Sequence, residues 1–158
     1  MRQNLHTLIL MRHGEAESKA ASDHKRRLTP RGQQDTLVAG QKLHARFQSC
    51  DMVITSDATR TLETAQNVSL AFTTKTIIPS ENLYTAHTVP EFFAAIASHL
   101  DSSVKILLVT GHNPVISAAC SWLTGSFVGF SPGDYAILTL DTESWNTGFS
   151  CQGCWSEK

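Results

Sequence analysis

The chain has 158 residues, enough for one domain with a single substantial core, and a formal net charge of −1 from 13 basic and 14 acidic side chains. Near-neutral bulk charge gives no reason to expect a nucleic-acid partner or an anionic membrane surface. No apolar run is long enough to span a bilayer, and Met1-Arg2-Gln3-Asn4 leads straight into a strand-like segment without a signal peptide's apolar stretch, so a cytoplasmic protein is expected.

In chain order, Thr7 to Met11 is a continuous apolar run, as a strand buried on both faces requires. A polar stretch from Glu15 to Arg27 follows. Thr29-Pro30 reads as an N-cap with proline in the first turn of a helix to about Gln48, with Thr36, Gly40, Leu43 and Phe47 on one stripe. Met52 to Thr55 is a second strand, and Ser56 is placed to cap the next helix, whose Ala58, Leu62, Ala65 and Phe72 share a face. Lys75 to Ile78 is a candidate third strand. Thr88-Val-Pro-Glu91 is a capping box opening a helix that turns Val89, Phe93, Ile96 and Leu100 inward. Ile106 to Val109 is another apolar strand, Asn113-Pro114 opens a helix to about Leu123, and Tyr135 to Leu140 is the last strand.

Strands alternating with helices predict a layered α/β domain with a largely parallel sheet. The assignment is one domain over residues 1–158, with the tail from about residue 146 left open. Cys50 and Cys120 fall in apolar segments, where a thiol serves as a small hydrophobe. Cys151 and Cys154 form an isolated C-x-x-C in the tail. Zinc would need a second pair of ligands and a redox motif would follow a strand, so an inert role is expected.

All the arginines (Arg2, Arg12, Arg26, Arg27, Arg31, Arg46 and Arg60) lie in the first sixty residues. Arg31 and Arg46 fit a solvated face, but this is also where an anion site is expected. In parallel sheets, ligands bind beyond the carboxyl ends of the strands. Three predicted strands end in unusual polar residues: Arg12-His13-Gly14, Ser56 leading to Arg60, and Gly111-His112-Asn113. These should gather at one edge. Two arginines offer planar, permanently charged forks suited to phosphate oxygens. The helix opened by Asn113-Pro114 offers backbone N–H groups to an oxyanion. One histidine can attack phosphorus as neutral imidazole while the other binds a nonbridging oxygen or carries a proton. Gly14 would let the backbone turn sharply where substrate approaches.

The order and spacing of these pieces resemble the histidine phosphatase superfamily, which carries Arg-His-Gly at the end of its first strand, here Leu10-Met11-Arg12-His13-Gly14-Glu15-Ala16. Arg26-Arg27-Leu28-Thr29-Pro30-Arg31-Gly32 is similar to the family's "RPLTxRG" segment. Ile54 to Ala65 is similar to its "SSPxxRxxQTA" helix entry, with Asp57 and Glu63 departing from the usual proline and glutamine. Val109-Thr110-Gly111-His112-Asn113-Pro114 matches its second histidine motif. The resemblance implies a phosphoglycerate mutase-like three-layer α/β/α sandwich. It further implies His13 as nucleophile, His112 as second histidine, Arg12 and Arg60 as phosphate clamp, and Arg26 as a further substrate contact. No metal or cofactor is implied, and a set of His13, Glu15 and His112 lacks a recognised metal-ligand spacing.

Small size and the Glu-Ala after Arg-His-Gly resemble the compact SixA-type phosphohistidine phosphatases. Other branches place a carboxylate general acid shortly after the third strand. Here Tyr84 or Thr85 aligns with that position, with Glu81 and His87 as further candidates and ordinary loop polarity as the plain alternative. Without a placed acid, a weakly basic imidazole leaving group is favoured over an alkoxide. The expected function is therefore that of a monomeric phosphohistidine phosphatase in signal transduction, acting on a phosphohistidine-bearing protein. A small-molecule phosphomonoesterase and a non-catalytic phospho-partner-binding module are the alternatives.

Overall fold

The computed structural model describes residues 4–157. The reading of Met1 to Gln3 lies outside the described residues. In order, the elements are β1 (Leu5–Arg12), a 3-10 turn (Asp23–Lys25), α1 (Pro30–Phe47), β2 (Ser49–Cys50), β3 (Met52–Ser56), α2 (Thr59–Ser69), β4 (Thr73–Thr74), β5 (Ile77–Ser80), α3 (Glu81–Thr85), α4 (Val89–Ala97), β6 (Ile106–Gly111), α5 (Val115–Thr124), β7 (Tyr135–Asp141), α6 (Trp145–Phe149) and β8 (Ser156–Glu157).

Six strands form one sheet in the order β5-β3-β6-β1-β7-β8. The first four are mutually parallel, whereas β7 runs antiparallel to β1 and β8 antiparallel to β7. Alternation along β1 shows why its sequence is apolar throughout: Leu8 and Leu10 enter one core, Ile9 and Met11 the other. The first core includes Phe92 and Ile96 of α4, Ile116 and Leu123 of α5, and Trp145. The second packs Leu43 of α1 and Ala65 and Val68 of α2 beneath the opposite face. The result is a three-layer α/β/α arrangement around a mostly parallel sheet.

Local signals set the helix starts. The Thr29 side chain accepts the Gly32 N–H at the head of α1, and Thr88 with Glu91 completes the capping box of α4. Thr36, Gly40 and Leu43 are buried on α1, and Phe47 packs at the margin of its core. A Cβ at Gly40 would fall 2.4 Å from the Val68 carbonyl oxygen, so this glycine sets how closely α1 and α2 approach.

Three local expectations need correction. Ser56 ends β3 and is not the N-cap of α2; that position is Ala58, without a side-chain cap, because the chain runs two further residues before turning helical. The third strand is Ile77–Ser80, since Lys75 and Thr76 lie in the turn leading into it. Cys151 and Cys154, expected to be inert, are joined in a disulfide. The tail is ordered through aromatic packing: Trp155 stacks on Trp145 with centroids 6.1 Å apart and donates its indole N–H to the Gly148 carbonyl at 3.0 Å. No helix among the described residues is long and apolar enough to cross a membrane.

Candidate active site

β3, β6 and β1 are adjacent, and their parallel register sets Arg12 opposite Gly111 and Thr55 opposite Thr110. The residues after these strand ends therefore meet at one edge of the sheet. There, a cleft of about 610 Å³ is lined by Arg12, His13, Arg26, Arg60 and His112, together with Asp23, Tyr84 and His87. All five side chains singled out from the sequence are brought together.

His13 is 8% exposed, and its Nδ1 lies 2.7 Å from the Gly14 carbonyl oxygen. A carbonyl only accepts, so Nδ1 carries the proton and Nε2 keeps its lone pair. Burial, reinforced by the charges of Arg60, Arg12 and Arg26, lowers its pKa to about 4 against the pull of the Gly14 carbonyl. His13 is thus a neutral imidazole of fixed tautomer near pH 7, the state a nucleophile requires. The His112 ring is 5.4 Å away centroid to centroid, with Nε2 2.7 Å from Ser56 Oγ. Burial, then Arg60 and His13, lower the His112 pKa to about 3. The Ser56 hydroxyl therefore orients a second neutral ring.

Gly14 is required by space and not by an unusual φ. A Cβ there would lie 2.9 Å from Thr36 Cγ2 and 3.1 Å from the Gly32 carbonyl oxygen.

Arg60 sits in the first turn of α2 and is 6% exposed. Its terminal nitrogens engage a residue absent from the sequence-based set. Nη1 donates to the Asp23 carbonyl oxygen at 2.8 Å and Nη2 to Asp23 Oδ2 at 3.1 Å. Arg26 donates from Nη1 to Asp23 Oδ1 at 3.1 Å, and the Tyr84 hydroxyl to Oδ2 at 2.8 Å. The Tyr84 hydrogen bond, then those from Arg26 and Arg60, hold the Asp23 carboxyl at a pKa of about 2 against burial. Asp23 lies in a polar stretch without periodicity, and only its i,i+3 spacing to Arg26 hinted at a role.

Arg12 donates from Nη1 to the Phe130 carbonyl at 2.9 Å. The Nε atoms of Arg12 and Arg60 are buried without a hydrogen-bond partner among the described residues. Unpaired buried donors are costly, and an oxyanion bound between the two arginines would relieve them. Val115 starts α5 at the cleft wall, one residue later than expected, and the Ile116 N–H goes to the His112 carbonyl, so only part of the expected backbone cradle is free.

Of the four acid candidates, Tyr84, Thr85 and His87 line the cleft. Glu81 is exposed at the start of α3 and is not among the lining residues. Glu15 turns outward to accept from the Thr29 hydroxyl at 2.7 Å. The two departures from the family pattern share one task. Asp57 lies 2.9 Å from His24 Nε2, and Glu63 accepts from the Leu28 N–H at 2.9 Å and from Arg27. Both fasten the segment that carries Asp23 and Arg26.

The family model of the histidine phosphatase superfamily (branch 1) matches residues 8–84, and a solved SixA-type structure superimposes over the whole chain. In sequence and in fold the chain is similar to the histidine phosphatase superfamily. The SixA-type proteins to which it is similar are phosphatases by name. That structure, of a Nakamurella multipartitia protein assigned as a phosphohistidine phosphatase SixA, has a TM-score of 0.84 at 26% identity, covering 100% of this chain and 96% of that one. A Haemophilus influenzae phosphohistidine phosphatase SixA homolog is 29% identical over 151 residues, 85% of this chain and 88% of its own. The fold is also that of the protein histidine phosphatase SixA solved with tungstate, with a TM-score of 0.80 at 22% identity over 96% and 94% of the two chains. Within the histidine phosphatases, its likeness is thus to SixA-type proteins.

Proposed function

We propose that this protein removes phosphoryl groups from phosphohistidine on a partner protein, through a phosphorylated His13. His13 Nε2 attacks phosphorus while Arg12, Arg60 and Arg26 balance the charge on the nonbridging oxygens and His112 hydrogen-bonds one of them. The P–N bond of the substrate breaks, and the departing imidazole retains or collects its proton. Water then attacks phospho-His13, releasing inorganic phosphate and restoring the free ring. The arginines take the part a metal would otherwise play, so turnover should survive EDTA.

One observation carries the choice of substrate: the carboxylate facing the cleft, Asp23, is held ionised by Tyr84, Arg26 and Arg60. It cannot protonate a leaving group near pH 7. General acid catalysis is worth about 10²–10⁴-fold. An alkoxide would forgo that help, whereas imidazole, with a parent pKa of about 6.5, needs little of it.

The test is a substrate panel. Phosphohistidine peptides and other phosphoramidates should turn over fastest, aryl phosphates next, and sugar phosphates slower by about 10²-fold or more. Rates on aryl phosphates should fall steeply as the phenol becomes more basic. Equal turnover of an alkyl phosphate, selectively destroyed by His87→Ala, would instead make the protein a small-molecule phosphomonoesterase. Failure to trap any phosphoenzyme would favour a binding module.

A further inference from the structure

The loop between β1 and α1 places its own anion among the cationic groups of the cleft. Asp23 receives four hydrogen bonds, two from Arg60 and one each from Arg26 and Tyr84. The carboxylate holds one terminal nitrogen of Arg60, and the Asp23 backbone carbonyl holds the other. A phosphoryl group entering the cleft presents the same chemistry to the same donors: planar or tetrahedral oxygens seeking charge-assisted N–H bonds. The loop is fastened at the neighbouring position by His24 to Asp57 at 2.9 Å, and His24 also meets the Tyr84 ring edge-on at 4.9 Å. Asp23 itself remains more than half exposed, with a side-chain accessibility of 55%. It is therefore tethered by its backbone while its carboxylate is free to yield.

We propose that Asp23 is an internal competitor for the phosphate site, its carboxylate holding Arg60 and Arg26 between turnovers and lowering the affinity of the cleft for free phosphate dianions. This rests on the assignment of Arg60 and Arg26 as phosphoryl contacts. Bound phosphate has to share these donors with a fixed negative charge or displace it. Displacement costs the same kind of hydrogen bonds that binding forms, so net affinity for small anions is held down. A partner protein offering contacts beyond the phosphoryl group can meet that cost, whereas inorganic phosphate cannot. After hydrolysis the carboxylate returns to the arginines and favours departure of the product. Asp23 thus acts on specificity and product release without touching the reacting atoms.

Titration calorimetry with inorganic phosphate and with orthovanadate tests this on the intact protein and needs no turnover. Asp23→Asn keeps the shape and removes the charge, and Asp23→Ala removes the charge without introducing an amide. Both should bind phosphate about tenfold more tightly than the wild type, equivalent to roughly 1.4 kcal/mol. The inhibition constant for phosphate during turnover should fall in parallel. Unchanged or weaker anion binding in the two variants would overturn the proposal and make Asp23 a residue that orients Arg60. Tighter binding by Asp23→Asn alone would also overturn it, since the new amide could then be the cause. A failed substrate panel with tighter anion binding would leave this inference standing and refute only the choice of substrate.

Discussion

The backbone N–H of Gly14 donates to Thr64 Oγ1 at 3.1 Å, while the Thr64 hydroxyl donates to the Arg60 carbonyl at 2.7 Å. Because the Gly14 carbonyl orients His13 Nδ1, this buried threonine links the ring after β1 to the helix turn that carries Arg60. Thr64→Val removes both bonds at nearly constant volume. An unpaired buried N–H costs about 1–3 kcal/mol, so thermal unfolding should show a loss of that order. Turnover should fall more than KM rises, and Thr64→Ser should restore most of both. Wild-type stability and kcat in Thr64→Val would show that the link holds nothing in place.

His13 should be the site of covalent phosphorylation, and specifically at Nε2, because Nδ1 is committed to the Gly14 carbonyl. Rapid quenching with labelled substrate should give an acid-labile, base-stable adduct whose phosphorus resonance is that of an Nε2-phosphohistidine. His13→Ala should retain its fold and lose both adduct and turnover. Adduct formation at Nδ1 would require a different tautomer.

Arg60→Ala should weaken transition-state stabilisation by about 2–4 kcal/mol, read as a fall in kcat/KM, since its hydrogen bonds are charge-assisted and its side chain is buried. Arg60→Lys should recover only part, because a point charge cannot reproduce the fork. A lysine variant as active as the wild type would remove Arg60 from the phosphoryl contacts.

The lowered pKa of His13 fixes the sign of a pH effect. The folded value is about 4 and the ordinary value 6.5, so the unfolded chain binds the extra proton first as pH falls. The stability linked to a neutral His13 is complete above pH 6.5 and lost progressively down to about pH 4. At about 1.4 kcal/mol per pKa unit, the loss is on the order of 3 kcal/mol. Melting temperature measured from pH 7 to 4 should drop more steeply for wild type than for His13→Asn. Parallel curves would mean that the ring is not buried neutral. On the same grounds, His13 as the proposed nucleophile stays unprotonated well below pH 6, and the acid limb of turnover should not fall at the usual histidine value.

Much of this architecture is legible in sequence because its signals are local. A short apolar run such as Thr7 to Met11 fits a strand buried on both faces, and Thr88 with Glu91 announces a helix start. The convergence of His13, Arg60 and His112 follows from the strand-end rule once the parallel strands are placed. Asp23 was not legible, because its partners Arg60 and Tyr84 are distant in sequence and its own segment has no period. Ser56 misleads for a related reason: serine after a strand looks like an N-cap, whereas here its hydroxyl faces His112 Nε2. The tail escaped because α6 has five residues and β8 two, too few for any period to emerge.

His13 and His112 follow neighbouring strands whose parallel register runs unbroken from Thr7 opposite Ile106 to Arg12 opposite Gly111. Neighbouring strands lie about 4.8 Å apart, close to the 5.4 Å between the two rings. The gauge of the pair is thus inherited from the sheet, much as the distance between rails is set by the sleepers beneath them. Exposed stretches such as Ser18 to Ala21 can lengthen or be exchanged and leave that gauge alone. One residue inserted between Leu8 and Arg12 would shift it and turn the apolar side chains beyond it to the wrong faces at once. Diversity of substrates can therefore accumulate around the rim, while the spacing of the two rings stays as invariant as the backbone hydrogen bonds that set it.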